Sequence, residues 1–192
     1  MPCLGAARLS ASDCNCALHD AGSAAIKRLT GATYMVMNGD ESVVESGGRT
    51  DFQYGGDTTM RYPPTAVDRV LHDGDKVTLG GTSLVAHLTP GHTRGCTTWT
   101  MQVQESGRTY DVVIVGSPNV NEGYKLVKNA AYPEIAADYE RTFRVLRSLP
   151  VDVFLGAHAL WRVTVNGAVL TGTLTLLPSR AVVRRIDLRK DK

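Results

Sequence analysis

An eleven-residue stretch near the middle of the sequence reads Thr89-Pro90-Gly91-His92-Thr93-Arg94-Gly95-Cys96-Thr97-Thr98-Trp99. A strand is predicted directly before it, over residues 82–88. Pro90 and Gly91 before His92, and Gly95 after it, let the backbone turn sharply and approach a bound group closely. Loops at the ends of strands commonly hold ligands on a rigid sheet. The sequence therefore predicts a ligand-binding role for His92, whereas an arbitrary histidine is more often a surface residue or a hydrogen-bonded core residue.

A second histidine has the same kind of setting. His158 follows an apolar segment, residues 151–155, that is predicted to be a buried strand, and Gly156 provides a tight turn before it. Two histidines at strand ends that are distant in sequence suit a zinc site built from separate loops, because neutral imidazole is a good zinc ligand. His92 and His158 are therefore predicted to be zinc ligands.

The composition is that of a single globular domain. The chain has 192 residues, of which 43% are hydrophobic and 21% charged, and its formal net charge is +2. This small charge argues against nucleic acid or an acidic membrane as a partner. No apolar run approaches the roughly 18–20 residues of a membrane helix, and residues 1–11 do not have the pattern of a signal peptide. We expect a cytoplasmic chain, or one whose leader is missing from this sequence.

The elements predicted along the chain alternate between helix and strand, which is typical of a layered α/β protein. The predicted helices and strands cover residues 21–29 (helix), 32–37 (strand), 41–45 (helix), 67–71, 76–79, 82–88, 97–103 and 109–115 (strands), 133–149 (helix) and 151–155 (strand). Residues 49–64 are predicted to form a long surface loop. Asp73-Gly74 indicates a turn between the strands at 67–71 and 76–79. The strands at 97–103 and 109–115 are predicted to form a hairpin around Glu105-Ser106-Gly107.

The helix predicted over residues 133–149 has the clearest pattern. Pro133 suits the first helical position and Pro150 ends the helix. The apolar residues that recur at three- and four-residue steps and predict one buried face are Ile135, Tyr139, Phe143, Leu146 and Leu149.

Four stretches of the sequence resemble the metallo-β-lactamases of class B, subclass B3. They are residues 88–99, 116–127, 132–143 and 154–158, and the string from Gly91 to Trp99 is specific to that subclass. The resemblance implies an αββα sandwich, incomplete at its N-terminus, and a family that binds two zinc ions between the sheets. It divides the chain into a divergent N-terminal segment (1–20), a metallo-β-lactamase-like domain (21–158) and a divergent C-terminal β and basic tail (159–192).

The segment Val115-Gly116-Ser117 narrows the resemblance within the metallo-β-lactamase superfamily. Thioesterase-like relatives such as glyoxalase II carry a bridging aspartate there, and other lactamase subclasses carry a cysteine. This sequence has neither residue at that place. The absence of both agrees with subclass B3.

One family motif is altered. The resemblance implies a His-x-His-x-Asp-His cluster before Ala21-Gly22, but Asn15 and Ala17 stand at its first two histidines, His19 at its aspartate and Asp20 at its last histidine. The ligand set that remains is His19, Asp20, His92 and His158. His19 and Asp20 are also the catalytic candidates. By the resemblance, one of the family's two zinc sites keeps only His92 of its three histidines, whereas a catalytic zinc usually has three protein ligands. We therefore expect one weakly bound zinc or none.

The mechanism that the resemblance implies is zinc-dependent hydrolysis of a β-lactam ring, in which a zinc-bound hydroxide attacks the lactam carbonyl. Ser117, Asn121 and Tyr124 would lie on a loop that contacts the substrate carboxylate. Their alternative role is to form an ordinary surface loop whose polar side chains cap its own turns.

Three functions remain open at this point. The first is a zinc β-lactamase acting on penicillins, cephalosporins or carbapenems, and so an antibiotic-resistance hydrolase. The second is an inactive or impaired remnant of that fold. The third is a zinc hydrolase of another ester, lactone or thioester, since this fold hosts many reactions. The expected partner is a small β-lactam, with no nucleic acid and no membrane, and the oligomeric state is not predicted.

The two ends of the chain carry further expectations. The resemblance implies a periplasmic or secreted protein. Because the resemblance stops abruptly at both ends of the chain, the hypothesis is that the reading frame is truncated or shifted there. Cys14 and Cys16 could bind metal or oxidise, or be incidental thiols of a loose terminus. The basic residues of the tail indicate a solvated terminus, and they include Arg180, Arg184, Arg185, Arg189 and Lys190.

Overall fold

The computed structural model describes residues 20–156 and, beyond them, the backbone of five short strands. Helices are α1 (Ser23–Thr30), α2 (Glu41–Ser46) and α3 (Ile135–Ser148), with a short 3₁₀ helix at Thr58–Met60. The first seven strands are β1 (Met35–Met37), β2 (Arg69–Leu71), β3 (Lys76–Leu79), β4 (Thr82–Leu88), β5 (Thr97–Glu105), β6 (Arg108–Val115) and β7 (Val153–Gly156). The last five are β8 (Leu160–Val165), β9 (Ala168–Thr173), β10 (Leu176–Leu177), β11 (Arg180–Ala181) and β12 (Asp187–Arg189).

A five-stranded mixed sheet carries most of the structure, in the order β3-β4-β5-β6-β7. Its first four strands are antiparallel neighbours, and β7 returns parallel to β6 after the crossover through α3. Ser106 and Gly107 adopt positive φ in the β5–β6 turn, at the hairpin that the sequence predicts. The predicted alternation of strand and helix, and with it the α/β class, is confirmed.

The predicted turn at Asp73-Gly74 is present, but the strands on either side of it belong to different sheets. β2 pairs in parallel with β1, whereas β3 pairs with β4. The turn is fastened to β4 instead: the Gly74 N–H donates to the Ala86 carbonyl at 2.8 Å, and an Asp73 carboxylate oxygen accepts from the Leu88 N–H at 2.8 Å. The turn therefore passes the chain from a two-stranded sheet to the five-stranded one.

A core cluster joins these two sheets. Met37 of β1 and Leu71 of β2 pack with Val77, Ala86 and Trp99 of the larger sheet, and all five side chains are buried. Burial of such apolar surface is the main favourable contribution to folding. The cluster therefore fixes β1, and the residues that follow it, against β4 and β5.

Two predictions about α3 and the strand after it need correction. α3 begins at Ile135 with Glu134 at the N-cap, so Pro133 precedes the helix instead of occupying its first position. Phe143 is 42% exposed, although Ile135 and Tyr139 are buried as predicted. The strand predicted to be buried at 151–155 is β7, in which Phe154 is 38% exposed, because β7 is the edge strand of the sheet.

Among the described residues, no helix is long and apolar enough to cross a membrane. Several sequence predictions fall on positions outside the described residues. They concern His19, His158, Cys14, Cys16 and the side chains of the basic tail.

Candidate functional site

Residues 90–95, here called the His92 loop, connect the end of β4 to the start of β5. The Thr89 N–H donates to the Cys96 carbonyl at 2.8 Å and closes the base of the loop, and the Gly91 N–H donates to the Thr93 carbonyl at 2.9 Å. Gly91 has φ +127°, and a Cβ there would lie 2.7 Å from Cγ of Tyr139. The prediction that glycine is needed before His92 is therefore confirmed.

The side chain of His92 is buried, and its imidazole contacts the loop that follows β6. Its Nδ1 lies 2.9 Å from the carbonyl oxygen of Asn119. Since a carbonyl only accepts, Nδ1 must carry the proton, and in the neutral ring the lone pair then belongs to Nε2. Metal-binding histidines commonly have this arrangement, with one ring nitrogen donating to a fixed acceptor while the other meets the metal.

The acceptor itself is fixed by α3. The Tyr139 hydroxyl donates to the same Asn119 carbonyl at 2.6 Å. Burial raises the pKa of Tyr139 above its usual range, so the phenol remains a donor at all ordinary pH values. On the same helix, the Thr142 hydroxyl donates to the Pro90 carbonyl at 2.6 Å. α3 thus holds both His92's hydrogen-bond acceptor and the start of the His92 loop.

A buried carboxylate holds the other end of the loop. Asp40 accepts from the Gly95 N–H at 2.8 Å and from the Thr93 hydroxyl at 2.5 Å. Burial raises the pKa of Asp40 to about 7, against the two hydrogen bonds, which lower it, while the nearby charges of Asp51 and Glu41 raise it further. A carboxylate with so perturbed a pKa is a feature that recurs at functional sites.

An aromatic wall stands beside His92. The Tyr124 hydroxyl donates to the His92 carbonyl at 3.0 Å, and the two rings are 6.0 Å apart between centroids. Tyr124 also meets Phe52 edge-on at 5.2 Å and Tyr54 at 6.3 Å. The Asn121 amide donates to the Tyr54 hydroxyl at 3.4 Å. Two of the three predicted substrate contacts, Asn121 and Tyr124, therefore lie in one aromatic cluster next to His92.

The third predicted contact is Ser117, which is buried after β6. Its N–H lies 3.3 Å from Sγ of Cys96, and the Cys96 thiol lies 3.5 Å from the Ser117 carbonyl. These contacts fix the Ser117 backbone against the start of β5. Its role in binding substrate stays a prediction, as do the substrate roles of Asn121 and Tyr124.

The predicted zinc ligands are only partly described. Asp20 is buried, and its Oδ1 accepts from the Tyr34 hydroxyl at 2.9 Å and from the Ser23 hydroxyl at 3.4 Å. Within residues 20–156, no group of three or more histidine, cysteine, aspartate or glutamate side chains could hold a metal. The described residues therefore do not by themselves fit a zinc centre, and the set His19, Asp20, His92 and His158 stays a prediction.

Several residues around His92 were missed by sequence reasoning. The sequence predicts no role for Asp40, and it predicts Tyr139 only as a core residue of the helix at 133–149. The contacts of both residues with the His92 loop depend on tertiary packing. Phe52 and Tyr54 had a signal that was available, because they are aromatic residues in a predicted polar surface loop. Arg94 also escaped notice; its guanidinium lies 4.3 Å from the centre of the Tyr132 ring.

No protein-family model matches the chain. Solved structures do match it. The FEZ-1 metallo-beta-lactamase from Legionella gormanii is 57% identical, with a TM-score of 0.72 over 73% of this chain and 54% of that chain. A beta-lactamase from Chitinophaga pinensis is 37% identical, with a TM-score of 0.70 over 73% of this chain and 53% of that one. The class B3 di-zinc metallo-beta-lactamase LRA-12 from an Alaskan soil metagenome is 35% identical, with a TM-score of 0.69 over 73% and 53%.

The chain spans about half the length of the structures that it matches. The prediction of an α/β fold of the metallo-β-lactamase type is confirmed by these matches.

Proposed function

Since this chain belongs to the class B3 metallo-β-lactamase family, we propose that it takes part in zinc-dependent hydrolysis of the β-lactam ring. The main support for the proposal is the tautomer of His92. Its Nδ1 donates to the Asn119 carbonyl, and the neutral ring therefore directs its lone pair through Nε2. A buried histidine in this tautomer is suited to bind a metal through Nε2.

The proposed zinc site includes residues that lie outside the described part of the chain. A catalytic zinc usually has three protein ligands, and residues 20–156 do not bring three candidate ligands together. We propose His19, Asp20 and His158 as the partners of His92. The expected stoichiometry is one zinc or none per chain.

The aromatic cluster beside His92 supports a small organic substrate. The rings of Tyr54 and Tyr124 offer apolar surface, and Asn121 and the tyrosine hydroxyls offer hydrogen bonds. Binding sites for small molecules commonly combine such a wall with a few placed polar groups. We propose that Asn121, Tyr124 and Ser117 orient the β-lactam through its carboxylate, next to the lactam bond that is cleaved.

Zinc analysis and a hydrolysis assay on the purified chain test the proposal together. If the chain binds one zinc, we expect zinc-dependent hydrolysis of a chromogenic cephalosporin, and we expect both the zinc and the hydrolysis to be lost in His92→Ala. His72→Ala is the matched control, because His72 is an exposed histidine at the turn before β3. A folded chain that binds zinc through His92 but leaves every β-lactam intact would contradict the substrate assignment.

The remaining outcomes separate the other functions. Cleavage of lactones or thioesters without cleavage of β-lactams would indicate a different hydrolase of the same fold. Neither zinc binding nor hydrolysis, in a chain with native circular dichroism, would indicate an inactive scaffold. Two tightly held zinc ions would overturn the expected ligand loss.

A further inference from the structure

Asp40 occupies the N-cap position of α2 but does not use its side chain as a cap. An aspartate at this position usually accepts a hydrogen bond from the second or third N–H of the helix. Within the described residues, Asp40 makes no such bond to α2. Its two carboxylate oxygens accept instead from the Gly95 N–H and the Thr93 hydroxyl, at 2.8 and 2.5 Å.

Glycine on both sides of this contact allows the close approach. A Cβ on Gly95 would lie 2.7 Å from the Met37 carbonyl oxygen and 2.8 Å from Cγ of Asp40. Gly39 has φ +106°, and a Cβ there would lie 3.0 Å from Cβ of Arg94. Asp40 and Thr93 are both buried, so water does not compete for these hydrogen bonds.

The two bonds flank His92 on its C-terminal side. Its N-terminal side is held by α3, through the Thr142 hydroxyl on the Pro90 carbonyl and the Tyr139 ring against Gly91. The loop is therefore fixed at both ends. Asp40 lies outside α3 and accepts from the Thr93 hydroxyl and the Gly95 N–H, on the C-terminal side of His92.

We propose that Asp40 is a positioning residue for His92. It holds Thr93 and Gly95 so that Nδ1 of His92 meets the Asn119 carbonyl, and it thereby fixes the ring's tautomer and direction. The functional meaning of this role rests on the proposed ligand role of His92. The positioning itself is a property of the chain without metal or substrate.

Three variants test the proposal. Asp40→Ala removes both contacts. Asp40→Asn preserves them, because its carbonyl accepts from Gly95 and its amide donates to the Thr93 oxygen. Asp57→Ala is the matched control, since Asp57 also accepts from one N–H and one threonine hydroxyl, both of Thr59, in the exposed 3₁₀ helix.

The measurement is the tautomer of His92 in the metal-free chain, from long-range ¹H–¹⁵N NMR correlations assigned with His92→Ala. We expect the Nδ1–H tautomer in the wild type, Asp40→Asn and Asp57→Ala. In Asp40→Ala we expect a mixture of tautomers and hydrogen exchange at the Gly95 amide that is faster by about tenfold. An unchanged tautomer and unchanged exchange in Asp40→Ala would overturn the proposal.

A second pair of variants covers the case in which Asp40→Ala does not fold. Thr93→Val removes the hydroxyl donor at nearly constant volume, and Thr93→Ser keeps it. We expect the loss of the single Nδ1–H tautomer in Thr93→Val and its retention in Thr93→Ser, and the reverse or no difference would overturn the role of Asp40. Because these readouts use no zinc and no β-lactam, a chain that proved inactive would leave them unaffected.

Discussion

The pKa of the buried Asp40 carboxyl group lies far above that of an ordinary aspartate. Burial is the largest cause, and it raises the pKa from 3.8 to about 7. An unfolded chain has an ordinary aspartate, so between pH 4 and pH 7 the folded state binds more protons than the unfolded state. Stability from this group therefore falls as pH rises through that window.

The Asp40→Asn variant isolates this effect. We expect the wild type to lose unfolding free energy relative to Asp40→Asn between pH 4 and pH 7, by on the order of 4 kcal/mol at most at 1.36 kcal/mol per pKa unit. Urea denaturation of both proteins at a series of pH values measures the difference. The lowered pKa values of Asp57 and Asp68 act in the opposite direction but cancel between the two proteins. Parallel pH profiles would rule out the raised pKa.

The close contact of Gly91 with Tyr139 predicts that substitution of this glycine lowers stability. Gly91→Ala puts a Cβ into the ring of Tyr139 at a φ of +127°, which L-residues rarely adopt. We expect a loss of roughly 2–4 kcal/mol from strain and overpacking. Gly56→Ala is the control, because a Cβ there meets no described atom within 4 Å. Equal denaturation midpoints for the two variants would contradict the close contact with Tyr139.

Individual residues show what the sequence could and could not reveal. His92 was predicted because its neighbours in sequence, Gly91 and Gly95, mark a tight loop after a strand. Asp40 lies more than fifty positions earlier and has no local signal beyond an N-cap. Its role depends on the core cluster that brings β1 next to β5, and a pattern of nearby residues does not encode that packing.

Strands and turns show the same contrast: local patterns were predicted, and long-range pairing was not. Hairpins such as β5–β6 were predicted, since the turn residues and the strands they join are adjacent in the sequence. The parallel pairing of β1 with β2 was not, because thirty-four positions separate Met35 from its partner Arg69. The turn at Asp73-Gly74 has the usual hairpin residues, but Gly74 and Asp73 hydrogen-bond to β4, and β2 and β3 do not pair with each other.

The hydrogen bond that attaches α3 to the His92 loop is expected to contribute to stability. Thr142→Val removes the hydroxyl that donates to the Pro90 carbonyl at 2.6 Å in a buried setting. We expect a loss of about 1–3 kcal/mol, since the carbonyl loses a buried donor. Ser148→Ala on the same helix removes an exposed bond to the Val145 carbonyl and should cost under about 0.5 kcal/mol. Thermal denaturation compares them, and similar losses in both variants would contradict a buried bond at Pro90.

Across the whole molecule, separate parts of the chain meet at one loop. The strand β1 and the start of α2 supply Asp40, the long loop after α2 supplies Phe52 and Tyr54, and α3 supplies Tyr139 and Thr142. The five-stranded sheet supplies the frame from which the loop projects. The string from Gly91 to Trp99 was enough to predict the tight loop at His92, whereas the residues that contact this loop come from segments with ordinary local patterns.

Zinc binding is expected to be coupled to the stability of the whole fold. If zinc binds through His92, it binds the folded chain and stabilises it by mass action, by about 2.7 kcal/mol at a free zinc concentration of one hundred times its Kd. We expect the Tm of the wild type to rise with added zinc and to return with a chelator, and the Tm of His92→Ala to stay constant. His72→Ala should respond like the wild type. A zinc-induced rise of equal size in His92→Ala would show that the metal binds elsewhere, and the proposed ligand role of His92 would then fail independently of any assay of hydrolysis.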